Sequence, residues 1–252
     1  MTAPRAVVFD LGGTLVQWAD WEGGAATKWG LAYDALRASG DAVSASADAI
    51  SASREDFVIA MRAAEKAHWE RVDRDHWSGP PSGVVSDGFQ RLGASVSDTA
   101  LTTVLDGYAR AVAGWCTVFA DTRDTLATLR ERRYRLALLS NTWWADEWHN
   151  ADLAAHGLAD LLDELVYTSD LPCSKPHPSV FREVTSRLGV APDACVMIGD
   201  RQIDDVSGAR AIGMRAIWRR NDSGFPTSDV TPDAIVDALA ELPELLRSWG
   251  GA

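Results

Sequence analysis

The stretch VVFDLGGTL at residues 7–15 decides the fold of this chain. An apolar run, Val7 to Phe9, is followed directly by Asp10, and a Gly-Gly pair comes two residues later. A short apolar run closed by glycines is typical of a buried parallel strand that ends in a tight turn. The sequence therefore predicts that the Asp10 carboxylate lies at the carboxyl end of a strand.

Two later apolar runs have the same form. The run 136–139 is followed by Ser140 and Asn141, and the run 195–198 is followed, after one glycine, by Asp200. Helical periodicity and a further apolar run predict the rest of this region: helices over 122–133, 145–156, 179–188 and 204–212, and a strand over 215–218. Strands that alternate with helices predict an α/β fold with an open, doubly wound, mostly parallel sheet.

The polar residues that follow these strands are expected to meet at one edge of the sheet, because ligands of such sheets bind at the carboxyl ends of the strands. The acidic members are Asp10, Asp200, Asp204 and Asp205. Clustered carboxylates repel one another unless a cation lies among them, and their hard oxygen atoms suit Mg²⁺. Lys175 would offer positive charge to an anionic substrate.

Residues 18–115 interrupt this alternation. Phe57, Met61, Ala64 and His68 fall on one helical face, and no convincing apolar strand occurs. We therefore expect a helical insertion, divided by loops within 38–53 and at the helix breaker 78–83.

Composition limits the possible partners. The chain has 252 residues and a formal net charge of −12, which disfavours nucleic acid and anionic membrane surfaces. Its three cysteines form no C-x-x-C pair, its N-terminus lacks the pattern of a signal peptide, and no apolar run is long enough to span a bilayer. We expect a soluble cytoplasmic protein that acts on a small molecule; a monomer and a homodimer both remain open.

Four motifs in fixed order make the sequence similar to the haloacid dehalogenase superfamily of hydrolases. They are the strand end Asp10 to Thr14, the strand end at Ser140, the pair Lys175-Pro176, and Gly199-Asp200 with the acidic pair at 204–205. The resemblance implies a Rossmann-like core formed by residues 1–17 and 116–252, and a helical cap formed by residues 18–115. It also implies an enzyme.

The resemblance implies the following chemistry. Asp10 attacks phosphorus and forms an aspartyl-phosphate that water then hydrolyses, while Ser140 and Lys175 bind and neutralise the phosphoryl group. Mg²⁺ is held by Asp10, Asp200 and the backbone carbonyl of Gly12, with Asp204 or Asp205 orienting its shell. The expected substrate-binding residues are Thr14, which also fixes the first loop, Asn141, Trp143 and Trp144.

One position departs from the family pattern. The family's general acid is the second aspartate of the first motif, and Gly12 stands there in this chain. A general acid or base is typically worth about 10² to 10⁴ in rate. Three alternatives follow. The enzyme uses activated substrates such as aryl or acyl phosphates, a residue of the cap replaces the general acid, or the protein is a weak or silent relative. The candidate replacements are Asp20, Glu22, His68 and His76.

The sequence therefore predicts a Mg²⁺-dependent phosphatase of a small phosphorylated metabolite. The chemical alternatives are a 2-haloacid dehalogenase, whose relatives usually carry an aromatic residue at the place of Gly12, and a phosphonate hydrolase, which would need Lys28 or Lys66 as a Schiff base. A catalytically silent relative that binds a ligand or a protein partner is the alternative of another class.

Overall fold

The structure is a computed structural model that describes residues 2–39, 52–221 and 224–250; the side chain of Glu22 also lies outside the description. The strands in these ranges are β1 (Ala6–Phe9), β2 (Val16–Trp18), β3 (Cys116–Val118), β4 (Arg135–Ser140), β5 (Glu164–Tyr167), β6 (Cys195–Gly199), β7 (Arg215–Arg219) and β8 (Ala234–Val236). The α-helices are α1 (Trp21–Ser39), α2 (Arg54–Asp75), α3 (Pro81–Arg91), α4 (Asp98–Val112), α5 (Thr122–Glu131), α6 (Asp146–Ala155), α7 (Pro178–Leu188), α8 (Gly208–Ala211) and α9 (Leu242–Ser248).

Six strands form one sheet in the order β5-β4-β1-β6-β7-β8, and every neighbouring pair is parallel. The central strand, β1, is buried on both faces, and Phe9 pairs with Leu138 on one side and with Ile198 on the other. The chain reverses its winding direction at β1, so the ends of β1, β4 and β6 lie side by side. The predicted fold class is confirmed, and the sheet brings Asp10, Ser140 and Asp200 to one edge.

Strands β2 and β3 form a separate antiparallel pair that the sequence did not predict. The pairing joins Val16 to Val118 and Trp18 to Cys116. The chain enters the helical insertion from β2 and returns from it through β3. Three residues are too few to show the alternation by which a strand is predicted from sequence.

The described residues between these two strands form helices α1 to α4, as the periodicity predicts. These helices enclose an apolar cluster of their own, which includes Trp29, Phe57 and Tyr108 and also the ring of Trp143 from the core. No helix in the described ranges is long and apolar enough to cross a bilayer. The boundaries predicted for the cap and the core, 1–17, 18–115 and 116–252, stay a prediction.

Two of the predicted segments need correction. The breaker at 78–83 contains the start of α3, because Pro81 occupies the first helical turn, where a missing N–H costs nothing. The predicted helix over 204–212 starts earlier and is irregular: a π-helical turn spans Gln202–Ser207, and α8 follows it. Most of the predicted loop over 38–53 lies outside the described residues.

The close approach of α1 and α4 yields a test of packing. A Cβ on Gly107 would lie 2.9 Å from the Cβ of Ala35 and 3.0 Å from the Cα of Ala32. We expect Gly107→Ala to lower the free energy of unfolding by about 1–3 kcal/mol, because the two helices must separate. Gly83→Ala is the matched control in α3, where nothing lies within 4 Å, and it should raise that energy by about 0.5–1 kcal/mol. Urea unfolding measures both.

Candidate active site

A buried lysine bridges two buried carboxylates at the carboxyl edge of the sheet. Lys175 Nζ donates to Asp10 Oδ1 at 2.6 Å and to Asp205 Oδ1 at 2.7 Å. Burial would lower the pKa of Lys175, but the charges of Asp10 and Asp205 outweigh burial and raise it. The ammonium group is therefore held in its charged form, directly beside the predicted nucleophile.

Asn141 fixes the backbone of Lys175. Its Oδ1 accepts a hydrogen bond from Lys175 N at 2.8 Å, and its Nδ2 donates to Lys175 O at 3.0 Å. This pair of bonds ties the end of β4 to the loop that carries the lysine. Ser140, the last residue of β4, lies beside Asn141 and lines the same cavity as Asp10 and Lys175.

Three carboxylates lie close enough to share a cation. Asp10, Asp200 and Asp205 each place an oxygen within 4.8 Å of the others. Burial, and next to it the charge of Asp10, raises the pKa of Asp200 to about 6. Burial also raises the pKa of Asp205 to about 7, although Lys175 acts in the opposite direction. The raised pKa values indicate that Lys175 does not fully offset the burial and mutual repulsion of these carboxylates.

The contacts of Asp200 indicate where a cation would fit. Its Oδ2 accepts a hydrogen bond from Asn221 Nδ2 at 2.8 Å, whereas its Oδ1 is buried and has no hydrogen-bond partner in the described part of the chain. A buried carboxylate oxygen without a partner is costly. The cluster offers only oxygen donors, and this donor chemistry fits a hard cation such as Mg²⁺.

The loop after β1 is held in place by the conformation of Gly13 and by side chains that contact its backbone. Gly13 has φ = 82°, and a Cβ there would collide with the Asp200 carboxylate. Its carbonyl accepts hydrogen bonds from Arg219 Nη1 at 2.7 Å and from Asn221 Nδ2 at 3.2 Å. Only glycine satisfies both the left-handed conformation and the close approach of Asp200.

Two of the predicted site residues lie at the border of the site. Asp204 lines the cavity but is not among the three clustered carboxylates, and its Oδ2 accepts a hydrogen bond from Arg201 Nη1 at 3.1 Å. Thr14 is completely buried and does not line the cavity, so its position does not favour substrate contact. Both residues border the site, and their predicted roles stay untested.

A cavity of about 810 Å³ opens above Asp10. Its polar lining includes residues at or just after the ends of β1, β4 and β6, and comprises Asp10, Gly12, Gly13, Gln17, Ser140, Asn141, Thr142, His149, Lys175, Asp200, Arg201, Asp204 and Asn221. Its aromatic lining comprises Trp18, Trp21, Trp69, Phe119, Trp143, Trp144 and Phe225. An anionic group would therefore bind at the base of the cavity, and an apolar group would face its walls.

The aromatic residues fall into two groups. Trp143 and Trp144, which the sequence singles out for pocket contact, are 0% and 2% exposed, and Trp143 stacks on Trp29 at 5.7 Å between ring centroids. Both therefore serve largely to pack the helices against the core. Trp18, Trp21 and Trp69 also line the cavity, and they are only partly buried.

The space beside Gly12 is filled by an indole ring. A Cβ on Gly12 would lie 2.8 Å from Cζ3 of Trp18, which is too close for any side chain unless the ring moves. The ring of Trp18 therefore fills the space into which the side chain of the family's general acid would extend from position 12. The sequence shows that the acid is absent, and the structure shows that an indole ring fills its space.

The described candidates for a substitute acid do not reach the cavity. Asp20 accepts a hydrogen bond from Gly23 N at 3.2 Å, His68 packs against Trp69, and His76 borders a different surface groove. None of these three lines the cavity above Asp10. The side chain of Glu22, the fourth candidate, lies outside the described residues.

Several residues that line the cavity were not predicted. Trp69 belongs to α2, Phe119 follows β3, and Arg201, Asn221 and Phe225 follow β6 and β7. They belong to no motif, and single aromatic or basic residues in loops carry no sequence signal for a pocket. Their places could be found only once the chain is folded.

A parallel sheet with buried carboxylates and a lysine at its carboxyl edge, beneath a cavity, defines an α/β enzyme. A family model described as haloacid dehalogenase-like hydrolase matches residues 4–213. The chain belongs to the haloacid dehalogenase-like hydrolase family, and the predictions of this family and of a hydrolase are confirmed.

Relatives within this family include phosphatases and dehalogenases. The chain is 27% identical to a glyceraldehyde 3-phosphate phosphatase from Methanopyrus kandleri over 63% of this chain and 69% of that one. It spans about half the length of several other phosphatase relatives. Among solved structures, a HAD phosphatase from Thermococcus onnurineus has a TM-score of 0.62 at 26% identity and covers 96% of this chain and 97% of that one. A 2-haloacid dehalogenase from Pseudomonas syringae has a TM-score of 0.67 at 27% identity, with 98% and 99% covered.

The buried histidine in the cavity wall makes stability depend on pH. His149 Nε2 lies 2.9 Å from Thr142 Oγ1, and burial lowers the pKa of His149 to about 3, although Asp146 opposes this shift. Because the unfolded histidine binds a proton below pH ~6.5, the unfolded state is favoured as pH falls from there toward 3. We expect the free energy of unfolding to fall in this window by about 1.4 kcal/mol per pH unit from His149 alone.

His149→Gln removes this titration and keeps a polar group beside Thr142. Urea unfolding between pH 6 and 4.5 should show a smaller dependence on pH in His149→Gln than in the wild type. His156→Gln, at an exposed position on the same segment, should leave the dependence unchanged. An unchanged slope in the His149 variant would show that the imidazole is not held neutral by burial.

Proposed function

We propose that this protein is a Mg²⁺-dependent phosphomonoester hydrolase that acts on a small phosphorylated metabolite through an aspartyl-phosphate on Asp10. The observation that carries the proposal is the group of Asp10, Lys175 and Asp205, in which one buried ammonium binds two buried carboxylates beside the cavity. The lysine neutralises charge where an anionic phosphoryl group would meet the Asp10 carboxylate. Without such compensation, two anions could not approach each other.

Each residue of the proposed mechanism has a separate task. Asp10 attacks phosphorus and later leaves as a carboxylate when water hydrolyses the intermediate. Lys175 stabilises the charge that builds up on the phosphoryl oxygens, and the Ser140 hydroxyl donates a hydrogen bond to one of them. Asn141 holds the backbone of Lys175 in place through two hydrogen bonds.

Asp10, Asp200 and the carbonyl of Gly12 would hold Mg²⁺, with Asp205 at the edge of its shell. When bound, the ion supplies positive charge that stabilises the transferring phosphoryl group. Asp200 is the residue best suited to this task, because its buried Oδ1 has no other partner among the described residues. Asp204 is less suited, because Arg201 already binds its carboxylate.

The helical insertion over residues 18–115 is proposed to act as a cap that selects the substrate. Its tryptophans at 18, 21 and 69 line the cavity. A volume of about 810 Å³ suits a metabolite and not a macromolecule. The phosphatase relatives support a phosphorylated small molecule as the substrate class.

A 2-haloacid dehalogenase is the second candidate, because of one specific observation. The indole of Trp18 lies over Gly12, so an aromatic ring occupies the place that carries an aromatic residue in such enzymes. The similarity to the dehalogenase from Pseudomonas syringae agrees with this reading. The three clustered carboxylates favour the phosphatase, since a cation is what makes such a cluster useful.

The phosphonate hydrolase is disfavoured by the positions of both candidate lysines. Lys28 Nζ lies 4.8 Å from the centroid of the Trp115 ring, and Lys66 pairs with Glu70 on the surface of α2. Neither lysine lines the cavity. A Schiff base needs an amine that reaches the substrate carbonyl.

The nucleophile is tested by Asp10→Asn. We expect this variant to lose more than about 10³-fold in kcat/KM for aryl, acyl and sugar phosphates in the presence of Mg²⁺, because the amide cannot attack phosphorus. Phosphate release measures the loss. Asp124→Asn, an exposed change on α5, is the matched control and should keep full activity.

Two other outcomes would decide against this proposal. If the wild type releases no phosphate from any of these substrates, the silent relative is the better description. If it instead releases halide from a 2-haloacid, the reaction is dehalogenation.

The metal site is tested by direct binding measurements. We expect Asp200→Asn to weaken Mg²⁺ binding, measured by isothermal titration calorimetry, by at least about 10-fold, because it removes a charged ligand. Asp204→Asn should change the affinity by much less, since Arg201 binds that carboxylate. Equal losses in both variants would place Asp204 in the metal shell as well, and full phosphatase activity in excess chelator would overturn the metal requirement.

A further inference from the structure

We propose that the substrate of this site is a phosphate monoester of a flat aromatic alcohol, in which the leaving group is a phenol-type oxygen. The inference rests on the proposed function and narrows it to one chemical class. Two observations lead to it: the position of Trp18 over Gly12, and the aromatic composition of the cavity wall to which Trp18 also belongs.

The first observation concerns the proton that a poor leaving group needs. Of the described residues in 18–39 and 52–115, only Trp18, Trp21 and Trp69 line the cavity. None of these side chains can act as an acid at neutral pH. On the core side, Arg201 binds the Asp204 carboxylate, and His149 is bonded to Thr142. Lys175 is held between Asp10 and Asp205, and Asp200 is proposed to bind the cation. Among the described residues that line the cavity, none is therefore left to serve as a dedicated proton donor to an alkoxide.

A phenol-type ester avoids this difficulty. An oxygen of Asp10 forms a bond to phosphorus, the bond between phosphorus and the ester oxygen breaks, and its electron pair leaves on that oxygen as a phenolate. Phenols have a pKa near ~10, far below that of alkyl alcohols, so the phenolate can depart and take its proton from solvent. Water then cleaves the aspartyl-phosphate, which returns the Asp10 carboxylate and releases inorganic phosphate with the proton.

The second observation concerns the shape of the wall. Trp18 and Trp21 meet edge to face, with 6.0 Å between their ring centroids. Trp21 in turn stacks on Trp115 at 5.2 Å and on Trp144 at 6.0 Å. The rings are therefore fixed by their neighbours before any ligand binds. A rigid aromatic wall favours a flat apolar group, and aromatic contacts contribute about 0.5–1.5 kcal/mol beyond burial.

A sugar or a polyol fits this wall poorly. Such a leaving group needs hydrogen-bond partners for its hydroxyls, and the indole nitrogen of Trp18 is buried away from the cavity surface. The described residues of 18–39 and 52–115 that line the cavity are all tryptophans, so this wall offers a sugar few hydrogen-bond partners. A sugar phosphate would thus leave hydroxyls unsatisfied against the tryptophans.

A substrate panel with the Mg²⁺-loaded wild type tests the class. The panel contains phenyl phosphate, 4-nitrophenyl phosphate, benzyl phosphate, glycerol phosphate and acetyl phosphate. We expect kcat/KM for phenyl phosphate to exceed that for benzyl and glycerol phosphate by at least about 10²-fold, because only the phenol leaves without a general acid. Equal rates on phenyl and glycerol phosphate would overturn the inference and leave the proposed function intact. Failure on all five would instead overturn the proposed function.

The aromatic wall is tested by Trp69→Leu and Trp18→Leu. Each should lower kcat/KM for 4-nitrophenyl phosphate by about tenfold, because one aromatic contact is worth about that factor. Acetyl phosphate, a good leaving group without a ring, is the internal control and should change little. An unchanged ratio of the two substrates in both variants would overturn the role of the wall. Trp69 lies on α2, remote in sequence from the nucleophile loop, so its variant tests the wall without altering that loop.

The missing acid is tested by restoring it. Trp18→Leu makes room at Gly12, and adding Gly12→Asp should raise kcat/KM for glycerol phosphate by about 10² to 10⁴ over Trp18→Leu alone. Gly12→Asn together with Trp18→Leu is the matched control and should give no gain. No gain in the aspartate variant would show that proton transfer does not set the specificity, and the inference would fall.

Discussion

The structure depends on the charge balance between one buried lysine and the carboxylates around it. Lys175 touches Asp10 and Asp205 at 2.6 and 2.7 Å, and Asp200 lies within the same cluster. Removing one partner of a buried ion pair typically costs about 3–5 kcal/mol, because the other charge remains desolvated. The position of the lysine is in turn secured by Asn141 at the end of β4. The central strands are thus connected through the same polar groups that would perform the chemistry.

The parts of the fold that the sequence predicts correctly are those whose pattern is set by burial on both faces. Strands β1, β4, β6 and β7 read as continuous apolar runs because helices cover the sheet on either side. Strands β2 and β3 have only three residues each, and β5 and β8 follow loops without a strong boundary signal, so these four were not predicted. The turn at Gln202–Ser207 departs from a regular helix where Asp205 Oδ2 accepts a hydrogen bond from Arg201 N at 3.0 Å. Asp205, which also binds Lys175, thus lies in a π-helical turn that helical periodicity does not predict.

The residues of the site also divide into those that the sequence predicts and those that it does not. Asp10, Ser140 and Asp200 could be predicted because each ends or follows a buried strand, and the strand order brings them together, whereas Lys175 was predicted from its motif. Phe119 and Phe225 could not be predicted, because each comes from a separate loop and meets the cavity only through the tertiary fold. The side chain that lies over Gly12 is the clearest case. The sequence shows that the carboxylate is missing at position 12. The contact of Gly12 with Trp18, six residues away, depends on β2, the short strand that contains Trp18.

Gly12 and Trp18 are best understood as one structural unit. A side chain at position 12 and the indole ring compete for the same volume, since the distance to a Cβ would be only 2.8 Å. The chain can therefore have an acid at this place or an aromatic wall, but not both without displacing one of them. A core that keeps its lysine and carboxylates retains the means to stabilise a phosphoryl group, whichever of the two is present. Under the proposed substrate class, this choice selects the leaving group: a carboxyl group at position 12 would serve alcohols that must be protonated, and an indole would serve rings that need no proton to depart. A single contact would then couple leaving-group chemistry to shape recognition.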